Sequence, residues 1–210
     1  MFKRRPLPPF SQTYRMLFAF SGFVLVLSIA LGYGIWTVDP VLAKKAIEEI
    51  IKEEFMAIIE KIAVLGWWGQ FLIIFLNNVK ATVLMMLSGA FLPFLPLMVG
   101  ILPNGYVIGL LAGFYEYERI LPKSTFFLGL LPHGLFEIPA LLLAATIGTL
   151  WGGRNWRSLF REEFSRSTLG AHAKASLAFL PLLLVLLLIA ALVEVLVTPL
   201  LFNLSLPRFT

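Results

Sequence analysis

The stretch MLFAFSGFVLVLSIALGYGIW, Met16 to Trp36, has 21 residues and no charge. As a helix it reaches about 30 Å, the thickness of a bilayer's hydrocarbon core. Lys3-Arg4-Arg5-Pro6 and Arg15 precede it. A signal peptide has an apolar core of only about 7–15 residues, and no small-residue cleavage site follows this one. The stretch therefore reads as a first transmembrane helix, ending at an interface on Trp36. The whole chain agrees with it. Of 210 residues, 59% are hydrophobic and 14% charged, and mean hydropathy is +0.89. A soluble domain carries about 25% charged residues. That excludes a soluble globular protein, a disordered chain and a nucleic-acid-binding module. The absence of cysteine excludes a disulfide scaffold, a thiol nucleophile and a cysteine-based zinc site.

Further apolar stretches predict an all-α, five-helix membrane bundle in one domain, residues 1–210. The spans run roughly 16–36, 67–87, 93–115, 124–150 and 175–197. Between the first two, Asp39 suits a helix cap and Pro40 a first turn. From Val41 to Ile62, Ile47, Ile50, Phe55, Ile58 and Ile62 recur at helical steps, opposite Lys44, Lys45, Glu48, Glu49 and Lys52. This predicts an external amphipathic helix over 41–62. Residues 154–174 form a basic loop with room for one short helix.

Basic residues orient the bundle. Five spans put nine of them (Lys3, Arg4, Arg5, Arg15, Arg154, Arg157, Arg161, Arg166 and Lys174) on one side, against only Glu162 and Glu163. The N-terminus and the 154–174 loop are thus expected in the cytoplasm. The 41–62 helix and the C-terminus are expected outside the cell membrane.

The apolar spans carry polar residues at depth. Counted from the outer starts of their own spans, Lys80 and Glu137 both lie about 20 Å in. Asn77, Asn78 and Asn104 join the same level, and His133 lies one turn before Glu137 on one helix face. These six form the expected midplane polar site, with Lys80 and Glu137 as natural partners. An isolated charge there costs at least ~2.5 kcal/mol. Leu102-Pro103-Asn104-Gly105 and Leu131-Pro132-His133-Gly134 repeat an L-P-x-G motif on neighbouring spans. Gly105 and Gly134 mark candidate helix breaks. Gly109 and Gly113 make a G-x-x-x-G step for close packing.

Three motif groups, in order, carry a resemblance. They are Phe75-Leu76-Asn77-Asn78 with Ala81 and Gly89; Pro103-Asn104-Gly105 with Gly109; and Pro132-His133-Gly134 with Glu137 and Ala140. In this combination the chain resembles the stage II sporulation protein M family. The resemblance implies a five-span membrane protein. It maps Asn77, Asn78, Asn104, Gly105, His133, Gly134 and Glu137 onto the family motifs, without roles. The named member works with peptidoglycan-degrading partners during engulfment in spore-forming bacteria, which implies a membrane scaffold. Relatives in organisms that make no spores carry no such implication, and the family implies no enzyme activity.

Three functions follow as expectations. The first is a non-enzymatic membrane subunit or scaffold. It would recruit partner proteins through 41–62 or 154–174. The second is a small transporter or channel for an ion, solute or lipid, using the midplane site and working as a homo-oligomer. The third and weakest is an intramembrane metal-dependent hydrolase: His133 and Glu137 could share a metal. The only other histidine is His172, in the basic loop, so ligands look under-supplied. Neither a catalytic residue, a metal nor a cofactor is expected, and the partners are membrane lipids and proteins, not nucleic acid.

Overall fold

The structure is a computed structural model, and it describes residues 12–50, 56–120, 122–161 and 166–200. Residues 1–11, 51–55 of the expected external helix, 121, 162–165 and 201–210 lie outside the described residues. All the described elements are helical. They are α1 (Gln12–Val38), α2 (Pro40–Ile50), α3 (Met56–Phe91), α4 (Leu102–Tyr117), α5 (Lys123–Phe160), α6 (Arg166–Leu177) and α7 (Leu180–Leu196). A single π turn, Leu97–Ile101, leads into α4. Five stretches are long and apolar enough to cross a membrane: Gln12–Val38, Gly66–Phe91, Leu97–Tyr117, Ser124–Phe160 and Thr168–Leu200.

Between apolar helices in lipid the hydrophobic effect supplies little drive, so close van der Waals packing must hold the bundle. Two parallel helix pairs supply it. In the first, α1 packs along α4. Gly105 lies against Leu25 and Ser28, Gly109 against Ile29 and Tyr33, and Gly113 against Trp36. Both chains advance together, so the pair is parallel and in step. Ser28 Oγ donates to the Leu102 carbonyl (2.6 Å) and Trp36 Nε1 to the Leu110 carbonyl (2.9 Å). Gly109 and Gly113 thus serve the first span, and Gly105 extends their step by one turn.

The second pair is α3 with α5. Gly148 lies against Met85 and Met86, and Gly152 against Gly89 and Pro93. Asn155 Nδ2 and Trp156 Nε1 donate to the carbonyls of Ala90 (2.9 Å) and Phe91 (2.6 Å), closing the end of α3. This second G-x-x-x-G step, Gly148 to Gly152, lies in plain sight in the sequence. Its flanking Thr149, Leu150 and Trp151 give it no polar signal. α7 packs on α5 and α3, with Leu183, Leu187, Ala190 and Ala191 buried.

Three expectations change. The external helix is seen as α2 and as the first turns of α3, which end at a kink on Gly66 (φ 62°, ψ −164°). α2 does not stand free: Ala43 and Ile47 are buried in one cluster with Trp36 and Leu110. The basic loop is largely helix, because α5 runs on to Phe160 and α6 begins at Arg166. Trp36 ends its span but turns inward, 2% exposed and stacked on Tyr117.

Asp39 caps α2 as its sequence suggests, its Oδ1 accepting from the Leu42 N–H at 3.0 Å. Lys44 pairs with Glu118 at 2.9 Å, and that carboxylate holds the ammonium above its ordinary pKa. The pair is exposed, so it adds little to stability.

The Gly66 backbone lies in a region essentially restricted to glycine. Gly66→Ala is therefore expected to lower stability by about 1–3 kcal/mol. Thermal unfolding followed by tryptophan fluorescence checks it; an unchanged midpoint would contradict the kink.

Candidate functional site

α5 is continuous through Pro132 and Pro139. Each proline lacks an N–H and so leaves the carbonyl four residues back without its helical partner. Between the two prolines, His133 and Glu137 stand one turn apart on the same face. α7 crosses that face. It brings Glu194 to them, and Thr198 lies just past its end.

One ligand-capable atom from each of His133, Glu137 and Glu194 lies within 4.8 Å of the others. His133 is buried, 8% exposed, and the two glutamates are half-buried. His133 Nδ1 lies 3.3 Å from Thr198 Oγ1. No hydrogen bond joins either carboxylate to another described residue. Phe71 and Phe75 of α3 stack beside Ala191, Leu192 and Val195 and wall the α7 side.

Along α5, Glu137 lies far from the flanking charges. Glu137 lies 14 residues beyond Lys123 and 17 before Arg154, so about 21 Å and 26 Å from those charges. Two carboxylates held together in so apolar a setting repel strongly unless positive charge sits between them. A proton, an imidazolium or a bound cation supplies that charge. The three side chains carry the ligand atoms to hold a cation.

The other expected residues go elsewhere. Lys80 faces out of the bundle, and no ion pair joins it to Glu137. The depth count from separate span starts misleads here. The observed register sets Met85 beside Gly148 and Gly89 beside Gly152. Lys80 is then level with about Leu143, roughly 9 Å deeper than Glu137. Asn77 is also exposed and Asn78 half-buried.

Asn104 has a local task. Its Nδ2 donates to the Gly100 carbonyl (2.8 Å) in the π turn. The two L-P-x-G motifs are used differently. The first opens α4 after the π turn, and its Gly105 meets α1. The second lies within unbroken α5, where Gly134 has only the tip of Ile138 nearby.

Glu194 and Thr198 are the residues that sequence reasoning missed. The available signal was an acidic residue in an otherwise apolar fifth span. One open cleft of about 500 Å³ lies elsewhere, between α2 and the end of α4. Trp36 and Tyr117 line it, with Lys44, Lys45, Glu48 and Glu118.

The fold and site define a polytopic helical membrane protein with acidic residues in its interior. A model of the family described as stage II sporulation protein M matches residues 17–199. The chain belongs to that family. No curated protein and no solved structure matches it.

Proposed function

We propose that the protein is a non-enzymatic membrane subunit that takes a cation into the bilayer at His133, Glu137 and Glu194. The observation that carries this reading is the convergence of one imidazole and two carboxylates within 4.8 Å, contributed by two crossing helices inside an apolar bundle. Intramembrane ionisable residues mark ion and proton paths by default. α5 and α7 are the helices whose relative movement would open or close such a path. The nine-to-two basic excess in the sequence supports a cytoplasmic N-terminus and an external C-terminus.

The test is flux. Protein reconstituted in vesicles is expected to pass protons or metal cations, read by a trapped indicator. Glu194→Gln is expected to return flux to that of protein-free vesicles. No flux for any proton or cation gradient, or an unaffected Gln variant, would sink the reading.

A second observation favours a subunit role within a larger assembly. Lys80 is exposed about 21 Å from Gly66 and about 17 Å from Phe91, far from either end of its span. Asn77 is exposed one turn away. A lysine facing lipid at that depth is costly, and a partner helix bearing a carboxylate would offset the cost. The partner is a second copy or another membrane protein. The segments 41–62 and 154–174 remain further contact surfaces, although α2 already spends its apolar face on its own bundle. Lys80→Leu is expected to shift the complex to a smaller mass in lipid nanodiscs. An unchanged mass would remove this argument.

A further inference from the structure

We infer that His133, Glu137 and Glu194 form a binding site for a divalent first-row transition-metal cation. Mn²⁺, Fe²⁺, Co²⁺ and Zn²⁺ are the candidates. The inference rests on the cation-site reading above and names the ion class.

Ligand chemistry comes first. One imidazole nitrogen with two carboxylate oxygens suits borderline metals, whereas Ca²⁺ and Mg²⁺ prefer shells of oxygen alone. Charge comes second. Two carboxylates in a low-dielectric setting are neutralised by one divalent ion, whereas a monovalent ion leaves one charge uncompensated. Geometry comes third. Metal–ligand bonds of about 2.0–2.1 Å set tetrahedral ligand atoms about 3.3 Å apart. The three atoms lie within 4.8 Å of one another, so small rotations of two flexible glutamates close the shell.

The surroundings fit as well. The Thr198 hydroxyl at His133 Nδ1 orients the ring as outer partners orient metal-ligating histidines, and leaves the second ring nitrogen for the ion. Neither carboxylate is committed to another described residue. Three protein ligands leave a position open for water or a passing anion. The sequence alone suggests too few ligands because the only other histidine, His172, lies in the basic loop and the chain has no cysteine. The third ligand comes from α7, 57 residues after Glu137.

The full-length protein in lipid nanodiscs, stripped of metal, tests this by titration with Co²⁺ and Mn²⁺. One ion is expected per chain, displaced by Zn²⁺ but not by Ca²⁺ or Mg²⁺. Bound Co²⁺ should show the visible absorption of a low-coordinate nitrogen–oxygen site. Thr198→Val, which keeps all three ligands, is expected to weaken binding about tenfold, and Glu194→Gln by more than the ~100-fold upper range of such outer changes. Absence of stoichiometric Co²⁺ or Mn²⁺ binding overturns the inference. So does displacement by Ca²⁺, or undiminished binding in Glu194→Gln. If that variant does not fold, wild-type stoichiometry and the Ca²⁺ competition decide alone. Proton flux without metal binding overturns this inference and leaves the proposed function standing. Metal binding without flux supports it and removes the transport reading.

Discussion

Gly109→Leu is expected to cause a large loss of stability in the bundle. A β-carbon at Gly109 would overlap the Ile29 carbonyl and approach the Tyr33 N–H at 2.7 Å. Both obstacles are backbone, so neither can rotate away. The parallel α1–α4 pair must separate, and with it go the bonds from Ser28 to Leu102 and from Trp36 to Leu110. Overpacking typically costs about 1–3 kcal/mol, and a rigid backbone contact sets this case at the upper end. For a chain of this size that is roughly 6–12 °C in melting temperature. Gly34, in the partner helix α1, is the control. Nothing lies within 4 Å of a β-carbon there, so Gly34→Ala is expected to hold or gain about 0.5–1 kcal/mol through helix propensity. Unfolding of the two variants in one detergent measures the contrast. Equal midpoints would mean that α1 and α4 do not pack through this seam.

Glu137→Gln is expected to stabilise the resting protein while abolishing cation uptake. The amide keeps the shape of the carboxylate but removes one of two facing negative charges. Sites held for function commonly sacrifice stability, and relieving them typically yields about 0.5–2 kcal/mol. The melting temperature should rise by roughly 1–8 °C on the scale for this chain length. In the presence of a bound cation the order reverses. The wild type then gains stability from the ion, and the variant does not. A variant less stable than the wild type under cation-free conditions would mean that the carboxylate serves the fold. Ligands must be deprotonated to bind metal, so cation-linked stabilisation of the wild type should fade as the pH falls.

Much of the fold was legible because its signals are local. Long, mainly apolar runs mark the spans, and Asp39-Pro40 marks the start of α2. Boundaries shifted where a helix continues past the apolar run. α5 keeps its helical bonds through Arg154 and Asn155 because Asn155 and Trp156 pin it to the end of α3. α2 folds onto its own bundle because Ala43 and Ile47 meet Trp36 and Leu110, a tertiary contact that periodicity does not reveal.

The site was half legible. His133 and Glu137 share a face by spacing alone, but their partner is set by helix crossing. Counting depth from each span's own start joined Glu137 to Lys80. That assumes that all spans enter the membrane at one level. The glycine register of α3 against α5 shows an offset of 63 residues between Met85 and Gly148, where the expected starts at 67 and 124 imply 57. Six residues of helix, about 9 Å, separate the two charges. Glu194 filled the gap because α7 packs on α5, with the small Ala190 and Ala191 buried one turn before it and Val195 buried beside it.

On the proposed function, Glu137 and Glu194 take up a cation within the bilayer. Infrared difference spectroscopy on the protein in lipid tests it most directly. Addition of Mn²⁺ is expected to shift carboxylate stretching bands in the wild type, and the shift should be lost in both Glu137→Gln and Glu194→Gln. A wild-type difference spectrum without carboxylate bands, or one left unchanged in either variant, would overturn the proposal.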